Sequence, residues 1–180
     1  MIRIAPVSNP SGEAKTLLDA VQAKFGATPN MFRTFAHSPK ALNGLLGLFG
    51  AMEASSLSPG LQEKLAIAVA EANGCEYCLS AHTYLGKHLA KLDDEALDAA
   101  RSGASADIHE QAALKFALAL LESQGHVSDA EFKALRSAGF SDAAIVEIVT
   151  VVALNVLTNY ANVVTGVEVD FPKVALRRVA

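Results

Sequence analysis

The sequence predicts an all-α protein, a compact helical bundle with no substantial sheet. Three observations carry this. Apolar residues recur at three- and four-residue intervals through most of the chain. No run alternates with a two-residue period between hairpin turns. Helix starts and stops punctuate the chain at regular intervals, as Ser-Pro, Asn-Gly, or a single Ser or Asp before an apolar run.

Taken in order, Leu17 to Phe25 forms a first amphipathic run, stopped by Gly26. Ser38-Pro39 sets an N-cap before a proline in the first turn and opens a helix to about Ala54. Ser58-Pro59 repeats the device for a helix through Glu63 and Ala70 to about Ala72. Asn73-Gly74 then ends it, with glycine suited to the left-handed C′ position. A new helix follows from about Cys75 to Ala90, so residues 58–90 read as a helical hairpin. Asp93 or Asp94 caps a short helix ending near Gly103. Asp107 to Ser123, Ser128 to Ala138 and Ser141 to Val164 complete the set, and residues 167–180 read as a tail. A short internal echo sets Glu147 on Glu63 and Asn159-Tyr-Ala-Asn162 on Cys75-Glu-Tyr-Cys78, which would suit a duplicated unit whose second copy lost its thiols.

The chain has 180 residues, 51% hydrophobic and 19% charged, enough for a single domain over 1–180 with a core of its own. It lacks a Gly/Ser- or Pro-rich linker, which argues against disorder and repeat arrays. Net charge is −4 with the basic residues scattered, and the cluster Lys173, Arg177, Arg178 is too small for a nucleic-acid footprint. Met1 to Pro6 holds no apolar run of signal-peptide length. The most apolar stretch, Ala143 to Val164, is interrupted by Glu147, Asn155, Asn159 and Asn162, which suits a buried or interface helix better than a membrane span. The expectation is a cytoplasmic protein without membrane or nucleic-acid partners. In a reducing compartment a cysteine pair is catalytic or metal-binding more often than a structural disulfide.

Cys75 and Cys78 are the only cysteines, and His82 follows one turn later. On a helix the two thiols lie about 60° apart, with the imidazole between them in angle. Both sulfurs stand in the first turn, where unpaired backbone N–H groups favour a thiolate. If the chain reverses at Asn73-Gly74, Glu63 comes to face His82 rather than either cysteine. A carboxylate there fixes the imidazole tautomer and frees the other nitrogen to take a proton from Cys78, directly or through water. Helix position alone favours Cys75 as the more acidic thiol, whereas the His82 spacing favours Cys78. Zinc is the rival reading, with Cys75, Cys78, His82 and either Glu63 or His88 as ligands, but three of these share one short helical stretch. Inert burial of the thiols is the bland alternative. The dithiol chemistry itself needs no bound cofactor.

Glu63, twelve residues before Cys75, followed by Cys-x-x-Cys and His82, resembles the active-site pattern of the alkylhydroperoxidase D and carboxymuconolactone decarboxylase superfamily. The stretch from Phe25 to Arg33 and on to Pro39 is similar to its peroxidase-related branch. The resemblance spans roughly Leu17 to Gly166 and implies an all-helical subunit, a homo-oligomer (dimer, trimer or hexamer) and reduction of organic hydroperoxides or hydrogen peroxide. It implies that Cys78 attacks peroxide, that Cys75 resolves the sulfenate, and that Glu63 and His82 relay protons. A thioredoxin-like or dithiol reductant would restore the pair. Two other functions remain open: the lactone chemistry of the superfamily's other branch, which needs no dithiol, and a non-enzymatic redox sensor or disulfide-exchange protein.

Overall fold

The computed structural model describes residues 1–177. Among them stand nine helices and no strand: α1 (Gly12–Phe25), α2 (Asn30–Phe35), α3 (Pro39–Glu53), α4 (Pro59–Ala72), α5 (Glu76–His88), α6 (Asp94–Ala100), α7 (Ile108–Glu122), α8 (Asp129–Ser137) and α9 (Asp142–Thr165). The predicted caps are in place. Ser38, Ser58, Asp93, Asp107, Ser128 and Ser141 each accept a backbone N–H from the first turn they open. Each such cap stabilises its helix by about 1 kcal/mol. Ser128 and Glu131 complete a reciprocal capping box.

Three boundaries differ from the sequence reading. α1 opens at Gly12, five residues before Leu17, with Ser11 in the N-cap position but its side chain making no capping bond. α2 was not anticipated: it is six residues long, follows Pro29, and is held by burying Met31 and Phe32 rather than by a periodic pattern. α5 ends at His88, and Cys75 is its N-cap rather than its first residue.

α4 is the central helix. Leu61 and every residue from Lys64 to Glu71 are buried. Ile67 and Ala70 face a cluster with Leu18, Phe32, Leu42, Leu79 and both cysteines. Leu65, Ala68 and Val69 face a second cluster with Leu114, Ala117, Ile148 and Val152. A helix apolar on every side needs neighbours all round, and α5, α6, α7 and α9 supply them. The two charges that this burial encloses are paired, Lys64 with Glu110 and Glu71 with Arg101.

α9 is long and apolar enough to cross a membrane by length and composition, with half of its most apolar window buried inside the molecule. Its inner side carries Ile148, Val152, Asn155, Asn159 and Asn162, all buried against α3, α4, α5 and α7. The segment after Gly166 has no helix but lies across α5. Phe171 packs edge-on against Tyr77, the Val174 amide donates to Ser80 Oγ, and the Arg177 amide donates to Glu71 Oε1. Of the basic cluster, Arg177 pairs with Asp98, while Arg178 lies outside the described residues.

Candidate active site

The turn between α4 and α5 builds the site. Gly74 sits at φ +68°. Its N–H bonds to the Glu71 carbonyl at 3.2 Å, and the Cys75 N–H bonds to the Ala70 carbonyl at 2.9 Å. This pair of bonds is the Schellman ending, and it satisfies the last carbonyls of α4 while reversing the chain. Cys75 therefore closes one helix and caps the next. Its Sγ accepts the Cys78 backbone N–H at 3.3 Å. A thiol is an uncommon N-cap, and here the cap places the two sulfurs in one buried first turn. Cys75 is 1% and Cys78 3% exposed, and both are free thiols.

The reversal sends α5 back along α4. Glu63 Oε2 meets His82 Nδ1 at 2.8 Å, the contact expected from counting residues on either side of the turn. The close approach of the two helices is helped by Gly86, where a Cβ would lie 2.8 Å from a Leu97 methyl and 3.6 Å from Glu63 Cβ. With Nδ1 engaged by the carboxylate, Nε2 is the nitrogen left to carry a proton. Among the described residues no hydrogen bond joins His82 to either sulfur, so a proton would pass through an intervening water or after a small ring movement. Among the described residues no group of three or more His, Cys, Asp or Glu is placed to hold a metal ion.

Three asparagines complete the site, and the sequence reading assigned none of them a part in its chemistry. Asn162 Nδ2 donates to Cys78 Sγ at 3.2 Å. Asn73 Nδ2 donates to Asn159 Oδ1 at 3.0 Å, tying the turn to α9. The signal was present: Asn159 and Asn162 are polar residues spaced i, i+3 within an otherwise apolar helix, and they are the positions matched to the cysteines in the internal echo. The two segments of that echo are in fact packed together. Glu147, matched there to Glu63, lies elsewhere, accepting from the Ser56 hydroxyl and amide.

These contacts separate the two thiols. Burial pushes the Cys78 thiol up, but the polar groups around it, Cys75, the Asn162 amide and the neighbouring Asn159 amide, outweigh it. The net effect holds Cys78 below the ordinary thiol range. Cys75 moves strongly upward, first because it donates to Cys78, then through burial and the neighbouring negative charge. The pair is thus polarised, with Cys78 the thiol more readily ionised and Cys75 the one that keeps its proton. This reverses the ranking that helix position alone suggested. Tyr77, between the cysteines, is structural: its hydroxyl accepts the Met31 N–H at 3.2 Å and its ring is buried.

An all-helical subunit with a Cys-x-x-Cys at a helix start and a Glu–His pair beside it defines a class of dithiol site. Comparison with known proteins agrees. Residues 39–123 match the model of the carboxymuconolactone decarboxylase family. A peroxidase-related protein from Ralstonia eutropha JMP134, described as an alkylhydroperoxidase AhpD core, is 27% identical and superposes with a TM-score of 0.82. That likeness covers 94% of this chain and 93% of the other. A peroxidase-related protein from Silicibacter sp. TM1040 is 26% identical with a TM-score of 0.81, over 91% of this chain and 88% of that one. The debrominase Bmp8, crystallised with 2,3,4-tribromopyrrole, shares the fold at 22% identity and a TM-score of 0.79, over 93% and 91%. No curated protein sequence matches significantly. The family match over residues 39–123 and these structural likenesses support the alkylhydroperoxidase D-like and carboxymuconolactone decarboxylase superfamily for this chain.

Proposed function

We propose that the protein is a thiol peroxidase that reduces organic hydroperoxides or hydrogen peroxide through the Cys75–Cys78 pair. The observation that carries this is the buried dithiol in one helix turn, with Asn162 donating to the Cys78 sulfur and His82, paired with Glu63, on the same helix face. A thiolate is the nucleophile that peroxide requires. Cys78 attacks the terminal peroxide oxygen, so that an S–O bond forms as the O–O bond breaks. The departing alkoxide takes up the proton that Cys78 released to His82 and leaves as alcohol or water. Cys75 then attacks the Cys78 sulfenic acid, its own proton leaving with the hydroxyl as water, and a disulfide forms. A thioredoxin-like or small dithiol supplies the two electrons that restore both thiols. No bound cofactor takes part, since sulfur carries the electrons. The cycle suits a reducing compartment such as the cytoplasm.

The subunit works as a homo-oligomer, assembled through the outer face of α9. The support is a continuous exposed apolar stripe of Val146, Val149, Leu157, Tyr160 and Val164, at helical spacing and free of charge. A second copy would present the same stripe, which makes the surface self-complementary.

The test is to mix the reduced protein with one equivalent of an organic hydroperoxide and follow both cysteines by mass spectrometry. An intramolecular Cys75–Cys78 disulfide is expected. Cys78→Ser should abolish peroxide consumption, and Cys75→Ser should leave a sulfenate that a dimedone probe traps. Peroxide consumption by Cys78→Ser at the wild-type rate would overturn the assignment.

A further inference from the structure

The Asn162 carboxamide is used on one side only. Its Nδ2 holds the Cys78 sulfur, whereas its Oδ1 is buried without a hydrogen-bond partner. Asn162 is itself 3% exposed. A buried acceptor left without a donor is costly, so an orphan beside a reactive sulfur points to a ligand that brings the donor.

The same residue borders a cleft of about 550 Å³. Gly74, Cys75 and Asn162 line it with Val163, Val167 and Val169, and the charged Glu76, Glu168 and Lys173 share its wall. Asn162 therefore links the cleft to the Cys78 sulfur that it holds. The volume lies within the range that small organic ligands occupy, and the valines suit an alkyl or aryl group.

We propose that Asn162 is a catalytic residue, donating from Nδ2 to the Cys78 thiolate and accepting at Oδ1 the O–H of an organic hydroperoxide that enters by the cleft beside Cys75. This assignment rests on the peroxidase reading. A hydroperoxide carries its one hydrogen on the oxygen that the thiolate attacks. Holding that hydrogen at Oδ1 sets the terminal oxygen, and not the alkyl-bearing one, against the sulfur. As the S–O bond forms and the O–O bond breaks, the held hydrogen stays with the oxygen and becomes that of the sulfenic acid. The alkoxide leaves toward the cleft with the proton that His82 holds. Cys75, which lines the same cleft, is then placed to expel the hydroxyl as water and close the disulfide.

The experiment compares two electrophiles on the same sulfur. Wild type, Asn162→Leu and Asn162→Ala, each checked for wild-type-like melting, are reacted with cumene hydroperoxide and with iodoacetamide across pH. Each rate is then corrected for the fraction of thiolate. Iodoacetamide needs the thiolate but has no O–H to place. The expected result is a loss of about tenfold or more with the hydroperoxide, the scale of one hydrogen bond at the reacting atom. The corrected iodoacetamide rate should stay within about threefold, the ordinary scatter of such a contact. Equal losses with both reagents, or no loss with either, would overturn the role of Oδ1 while leaving the peroxidase standing. A wild-type protein that forms no disulfide with cumene hydroperoxide would overturn both.

Discussion

Cys78 and Cys75 are three residues apart, yet their protons are held in opposite ways. Asn162 and Cys75 both donate to the Cys78 sulfur, and Cys75 is the thiol that must keep its proton to do so. The sign for reactivity follows. A thiol with a lowered pKa stays ionised to lower pH, so Cys78 should keep its alkylation rate to lower pH than an ordinary thiol does. Cys75 should stay protonated and unreactive over the same pH range. Pulse alkylation with iodoacetamide, read by peptide mass spectrometry, checks both. An inflection for Cys78 at or above the ordinary thiol value would contradict the geometry. The second residue-scale prediction concerns Glu63. Its bond to His82 is charge-assisted, worth about 1.5–3 kcal/mol, so Glu63→Gln should lower peroxide turnover about 10- to 100-fold. Disulfide formation by a strong oxidant such as diamide, which needs no such relay, should be nearly unchanged in that variant. Glu63, Cys75, Cys78 and His82 could all be named from their spacing. Asn162 could not, because an asparagine in an apolar helix reads as an interruption until the helix is docked against α5.

At the scale of elements, the α4–α5 turn matters most. Gly74 adopts a left-handed φ of +68°, which costs other residues about 1–2 kcal/mol. Gly74→Ala should therefore lower the melting temperature by about 2–4 °C per kcal/mol lost. It should also slow disulfide closure more than it slows the first attack, since Cys75 is carried directly by the turn whereas Cys78 lies inside α5. Stopped-flow of sulfenate formation against disulfide formation separates the two. Equal slowing of both steps would mean that the turn does not set the Cys75 position. The helix starts were legible because capping is local chemistry: a Ser or Asp side chain and a nearby N–H. α2 was missed because nothing local drives it. Six residues make a marginal helix alone, and this one is held by Met31 and Phe32 in the core and by its Met31 amide on Tyr77.

At the scale of the whole molecule, two cores meet on α4, and α9 closes both while leaving one side bare. Val146 is 64% and Tyr160 61% exposed on that side. Burying it against a second copy removes apolar surface from water, at about 25 cal/mol per Å². Leu157→Glu sets a charge in the middle of the stripe and should yield monomers, seen by light scattering coupled to size exclusion. Helix content should be unchanged, because Leu157 is half exposed rather than part of the core. Retention of the oligomer in that variant would place the interface on another surface.

What the sequence determined by itself is everything that depends on neighbours within a turn or two. The helical class, the caps, the stop at Asn73-Gly74, the shared stripe of Cys75, Cys78 and His82, and the pairing of Glu63 with His82 all follow from short spacings. What only the tertiary structure decided is how the thiols differ. Asn162 lies 84 residues from Cys78 along the chain, and their contact exists only because α9 packs against α5. Hydrogen bonding that includes so distant a residue outweighs both the burial of Cys78 and the helix-end preference for Cys75. A pKa sums every dipole within a few ångströms, whatever the distance in sequence.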